Sequence, residues 1–167
     1  MNIRFLTEED LQIRIQWMND PKVYKSMHFE VPVHLENTYK WFFDAKNNKS
    51  RVDMVFEEDG LLVAMGGLTN IIHDINKAEL YIFVNPKIQQ KGIGTSATKL
   101  LCQYGFEILN LNKIYLATNE DNFAARRVYE KCGFSLEGVL RQEYKTEDGT
   151  LLSRMYYGLL KGELLNE

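Results

Sequence analysis

The chain has 167 residues, a formal net charge of −3, 45% hydrophobic and 26% charged residues. These proportions suit one globular domain over 1–167 with its own core. They speak against broad nucleic-acid binding, which draws on a positive surface, and no apolar run approaches the roughly 20 residues that span a bilayer.

Met1-Asn2-Ile3-Arg4-Phe5 lacks the apolar core of a signal peptide, and Cys102 and Cys132 are far apart. A cytoplasmic protein with two reduced thiols is therefore expected, with neither nucleic acid nor membrane as a partner. Residues 3–6 have the pattern of a short strand. Thr7, with Asp10 three residues on, predicts a helix from about Glu8 to Met18. Asn19-Asp20-Pro21 is a stop and turn. A second helix is expected from Leu35 to Lys46. Apolar runs on both sides of Asp59-Gly60 predict a hairpin, and strands near 52–57, 61–71 and 78–84 form an antiparallel meander. After Val84 the chain passes through Gln89-Gln90-Lys91-Gly92-Ile93-Gly94 into a helix, where Ile93, Ala97, Leu100, Leu101, Tyr104 and Ile108 recur at helical spacing. Lys113 to Thr118 is a strand. Ala125, Val128, Tyr129 and Cys132 mark one face of a short helix closed by Gly133. Two strands, about 134–145 and 150–159, flank Glu147-Asp148-Gly149. This order gives an α/β protein built on a mixed sheet, not an alternating βαβ array.

The two glycines let the backbone curl and let a ligand approach. The N–H groups that open the next helix favour an anion, with Lys91 adding charge. A plain strand-to-helix loop would look the same. Gly92-Ile93-Gly94-Thr95-Ser96-Ala97 also matches the dinucleotide fingerprint, with Glu120 after the next strand. Against that fingerprint, seven residues separate Val84 from Gly92 and only about 70 follow Ala97, too few for a doubly wound sheet.

Strand 78–84, Gln89-x-x-Gly92-x-Gly94, the long helix, strand 113–118 and Asn122-x-x-Ala125-x-x-x-Tyr129-x-x-x-Gly133-Phe134 together resemble the GNAT superfamily of acyl-CoA N-acyltransferases, over nearly the whole chain. The resemblance implies a mixed, mostly antiparallel sheet of six to seven strands flanked by about four helices, with acetyl-CoA as co-substrate. It implies that the strand before the glycine loop splays from the next one and that pantetheine lies in the gap. Phe83 and Val84 would pair with its amides, and Asn122 would bond its arm. Gln89, Gln90, Lys91, Gly92, Ile93, Gly94 and Thr95 would hold the pyrophosphate, with Ala125 and Lys131 on the same cofactor side.

Tyr129 matches the tyrosine that reprotonates the leaving thiolate. A phenol of pKa about 10 stays protonated at neutral pH and donates to a thiolate whose acid has pKa about 8.5. Helical spacing alone would equally make Tyr129 a core aromatic. Glu79 is the candidate base. Strand alternation puts it on one face with Tyr81 and Phe83; the alternative is an exposed carboxylate or one paired with Lys77.

"FEVP", "ILNLNKIYL", "NFAARRVYEKCGFSLEGVL" and "RMYY" are similar to the branch holding spermidine/spermine acetyltransferases and ribosomal-protein N-terminal acetyltransferases. Glu30 and Tyr81 are the expected substrate residues. Val31, His34, Asn37, Thr38 and Asn70 depart from the carboxylates that surround a polyamine in that branch. "WMNDP…SMHFEVPVHLENTYKWF" also resembles enzymes that acetylate nucleotide-linked amino sugars. Trp17, Tyr39, Trp41 and Phe42 would stack on such a ring or simply pack on the sheet. The expected activity is acetyl transfer to a primary amine of a small molecule, an amino-sugar nucleotide or a polyamine. A protein N-terminal acetyltransferase and a non-catalytic acetyl-CoA-binding module stand as alternatives, and a homodimer is compatible with either. His28, His34 and His73 show no metal spacing, so no catalytic metal is expected.

Overall fold

The computed structural model describes residues 1–88 and 92–165, so Gln89, Gln90 and Lys91 of the expected pyrophosphate loop lie outside the described residues. The alternating apolar runs become seven strands: β1 (Asn2–Phe5), β2 (Val52–Glu58), β3 (Leu61–Ile72), β4 (Lys77–Val84), β5 (Lys113–Asn119), β6 (Ser135–Lys145) and β7 (Leu151–Leu160). Among the described residues there are five α-helices: α1 (Leu11–Met18), α2 (Pro21–Met27), α3 (Leu35–Ala45), α4 (Ile93–Glu107) and α5 (Phe123–Cys132).

Helix α2 corrects the expectation of a bare turn at Asn19-Asp20-Pro21. The Asp20 carboxylate accepts the Lys22 N–H at 2.9 Å and Pro21 is the first helical residue. Both are helix-start signals as well as stop signals. The expected first helix begins instead as a 3-10 turn, Glu8–Asp10. There the Asp10 carboxylate reaches back to accept the Thr7 N–H at 2.9 Å and the Thr7 hydroxyl at 3.0 Å. It also takes both arms of the Arg4 guanidinium, at 2.7 and 2.9 Å.

The strands form one sheet in the order β1-β2-β3-β4-β5-β7-β6, antiparallel everywhere except β4–β5. The expected meander is the β2-β3-β4 segment. Successive side chains point to opposite faces, and each face builds its own core. Helices α4 and α5 cover Phe56, Leu68, Ile114, Leu116 and Tyr157. Helices α1 to α3 cover Val55, Met65 and Phe83 with Leu11, Trp17, Val23 and Phe42. Burying each of these large apolar side chains is worth about 1.5–3 kcal/mol. No helix of the described residues is long and apolar enough to cross a membrane.

Candidate active site

The parallel pair β4–β5 is short. Lys77, Ala78 and Glu79 face Lys113, Ile114 and Tyr115, and there the pairing ends. Beyond Glu79, β4 stays paired to β3 as far as Val84, while β5 stays paired to β7 as far as Asn119. Leu80–Val84 therefore present one backbone edge that β5 does not meet, and unpaired strand N–H and C=O groups need partners. The expected splay is present, and Phe83 and Val84 lie on it. The Phe83 side chain is turned into the second core, edge-on to Trp17 and Phe29, so what it offers the gap is backbone.

Helix α4 starts beside this gap. Gly92 is its cap, in the left-handed region at φ 93°, a conformation that costs a side-chain-bearing residue strain. The Ser96 N–H returns to the Gly92 carbonyl at 2.9 Å. The N–H groups of Ile93, Gly94 and Thr95 precede it and have no intrahelical acceptor. Helix α5 packs against this turn. A side chain at Gly94 would lie 3.5 Å from Val128, and the Cys132 thiol points to the Thr95 carbonyl at 3.7 Å. Exposed Lys131 immediately precedes that cysteine. Asn122 caps α5, its side-chain oxygen accepting the Ala125 N–H at 3.2 Å. Its oxygen is committed to the helix, so its amide NH₂ is the group with which it could serve a ligand.

Tyr129 is buried, its ring 5.8 Å from Phe134 and 6.2 Å from Tyr157. Burial, with the neighbouring Cys132 thiol, pushes its hydroxyl up to about 12. No described residue hydrogen-bonds that hydroxyl. Glu79 stands at the branch point, opposite Thr69 on β3 and Tyr115 on β5. The expected lysine partner is not used: Lys77 lies over the Tyr115 ring at 5.3 Å. Asn70 donates to Glu79 instead, at 2.7 Å. Burial and the Glu79 charge both raise the Tyr115 hydroxyl.

Glu30 and Tyr81 line two different recesses, with Phe29 in the wall of both. The outer one, about 810 Å³, lies between α2, the end of β5 and the β6–β7 hairpin. Its floor holds His28, whose Nε2 faces the Asn119 side-chain oxygen at 3.0 Å and whose ring meets Tyr144. The inner one, about 320 Å³, lies under α1 and α3. The Tyr81 ring fits across β3 because Gly67 has no Cβ; one there would stand 2.8 Å from the ring. Its hydroxyl is already engaged, donating to Asp53 and accepting from Arg14 at 3.4 Å. Burial pushes it up to about 12. Tyr81 therefore walls the recess without a spare polar group.

The inner recess brings in residues that the sequence reading passed over: Arg14, Arg51 and Asp53. Arg14 had a signal. It stands with Leu11 and Trp17 at spacings of three on the buried stripe of α1, where a cation is out of place. Arg51 and Asp53 had the alternation of β2.

A family model described as an acetyltransferase (GNAT) domain matches residues 1–135. The chain is 36% identical over 148 residues to a spermidine N(1)-acetyltransferase of Escherichia coli, covering 86% of this chain and 77% of the relative. It is 36% identical over 110 residues to a putative ribosomal N-acetyltransferase of Bacillus subtilis, covering 63% and 57%. The crystal structure of a spermidine N-acetyltransferase from Vibrio cholerae, in complex with CoA and spermine, superposes with a TM-score of 0.91 at 26% identity, over 99% of this chain and 98% of that one.

Proposed function

The chain belongs to the GNAT family of acetyltransferases, and on that premise we propose that it moves the acetyl group of acetyl-CoA onto a primary amine of a small molecule. The observation that carries this is the parting of β4 from β5 after Glu79, with the open start of α4 beside it. Pantetheine amides pair with the free edge of Leu80–Val84 and with the Asn122 amide. The pyrophosphate takes the N–H groups of Ile93, Gly94 and Thr95, aided by Lys131.

An alkylammonium of pKa about 10.4 is neutral in roughly one molecule in two thousand at pH 7, so its proton needs an acceptor. Glu79 takes it, directly or through water. The amine nitrogen attacks the thioester carbon, the C–N bond forms, the nitrogen sheds its second proton to water and the C–S bond breaks. The departing thiolate takes the Tyr129 proton, which solvent restores.

Spermidine heads the list of acceptors because relatives are spermidine acetyltransferases. The outer recess adds the carboxylates of Glu30, Asp121, Glu147 and Asp148 against Lys22 and Lys25, a balance that attracts a cationic amine. The test is acetyl-CoA with a panel of polyamines, amino-sugar nucleotides and peptides, reading free thiol. A small-molecule amine should give acetyl-CoA-dependent thiol release. Turnover of peptide N-termini alone would replace this reading with the protein N-terminal one. CoA binding without turnover of any amine would leave a binding module.

A further inference from the structure

The inner recess carries a charge that the reaction above does not use. Arg14 is 5% exposed. Its guanidinium lies 4.9 Å from the Trp41 ring centre, 5.3 Å from Phe83 and 5.7 Å from Tyr81. One nitrogen, Nη2, reaches the Tyr81 hydroxyl; the other, Nη1, is buried with no hydrogen-bond partner. The carboxylate on the Tyr81 hydroxyl, Asp53, is spent: it takes both arms of Arg51 at 2.8 and 2.7 Å and accepts from Tyr81 as well. Arg51 thus has the carboxylate, and Arg14 reaches it only through the Tyr81 hydroxyl. Ring faces offset part of the cost of a buried cation, but an unpaired N–H on a buried charge is expensive. The same recess is walled by Asn37, Thr38 and Thr69; the threonine hydroxyls donate to the His34 and Glu79 carbonyls, so it is the Asn37 amide that offers a donor.

The geometry points to an oxyanion subsite for the acceptor: the molecule that is acetylated carries, besides its amine, a carboxylate or phosphate held by the unpartnered Nη1 of Arg14, with the Arg51 charge in the same wall. A charged guanidinium N–H suits both groups. This rests on the acetyltransferase reading and departs from it in the acceptor, setting an anion-bearing amine above the spermidine that the relatives alone place first. The placement suits one molecule spanning both functions. Thr69 lies directly across from Glu79, and Tyr81 follows Glu79 by two residues on the same face, about 7 Å along a strand. An amine at Glu79 and an anion at Arg14 are within the span of an amino-sugar phosphate or an amino acid. A polyamine has nothing to give Arg14.

Matched acceptors test this: glucosamine 6-phosphate against glucosamine, 6-aminohexanoate against hexylamine, and spermidine. The phosphate or carboxylate member should be preferred by about 10- to 100-fold in kcat/KM, the range for hydrogen bonds to a charged group. Whichever pair shows the preference identifies the anion. Arg14→Met should abolish it. Asn37→Asp, on the exposed side of α3, should weaken it by adding a negative charge without disturbing the core. Inorganic phosphate titrated into the CoA-loaded protein, read by Trp41 fluorescence, gives a signal independent of turnover; it should saturate in the parent and weaken in Asn37→Asp. Equal rates for charged and neutral partners, equal losses for both in Arg14→Met, or no phosphate response would each overturn the subsite. Thiol release with spermidine alone, unaltered in Arg14→Met, would do the same while leaving the acetyltransferase reading intact.

Discussion

Tyr129→Phe removes one hydroxyl and leaves the ring between Phe134 and Tyr157, so the packing of α5 should hold while the acid is lost. A kcat lower by about 10-fold to 1000-fold is expected, with little change in KM for acetyl-CoA; an unchanged kcat would return Tyr129 to the core. Because burial holds its hydroxyl near 12, it stays protonated, and able to donate, across the whole range to pH 10. Glu79→Gln separates a base from a binding contact. The amide still accepts from a neighbour but takes up no proton, so the loss in kcat/KM should be large near pH 6 and shrink toward pH 10, where the amine arrives neutral. A loss of equal size at every pH would make Glu79 a positioning residue. Tyr129 was legible because α5 carries a motif around it. Arg14 offered only its place on the apolar stripe of α1, and its partners Trp41, Tyr81 and Phe83 are far away in sequence.

At the scale of elements, the parting of β4 and β5 and the start of α4 make one unit, and Gly92 tests it. Its left-handed φ means that any substitution strains the backbone, yet a Cβ there would meet nothing within 4 Å. Gly92→Ala therefore measures the strain alone, and Gly92→Asp adds a negative charge where the pyrophosphate is expected. Calorimetry should show Asp binding CoA at least about 10-fold more weakly than Ala, as repulsion at a helix start predicts; equal affinities would dismiss the loop assignment. Most of these elements could be read from local pattern. The Asp59-Gly60 hairpin, the period change at Ile93 and the Gly133 cap each depend on neighbours within a few residues. Helix α2 was missed because Asp20-Pro21 signals both an end and a beginning, and only the docking of Val23 into the core selects the second. The two recesses were beyond local pattern altogether: in the inner one the sheet register brings Tyr81 near Thr69, and Phe29 joins them from the end of α2.

For the molecule as a whole, half-buried His28 and buried Asp10 shape the response to acid. His28 joins α2 to the sheet, facing Asn119 on β5 and Tyr144 on β6. Burial, then the Arg154 charge, lowers its pKa from 6.5. As pH falls below about 6.5 the unfolded chain takes up a proton that the folded one resists, so stability declines. Asp10 acts lower. Burial alone would raise its pKa, but the hydrogen bonds from Arg4 and Thr7 outweigh burial and hold it below 3.8. Its contribution is present above that value and is lost as pH falls through the lowered one. Urea unfolding should therefore show stability falling in two stages on acidification. His28→Asn removes the first group while keeping a residue that accepts the left-handed backbone found there, at φ 57°. Its stability should stay nearly level from pH 7.5 to 5.5 where the parent declines, and both should fall together below pH 4. Parallel declines from pH 7.5 to 5.5 would show that the contact between α2 and the sheet does not depend on a neutral His28.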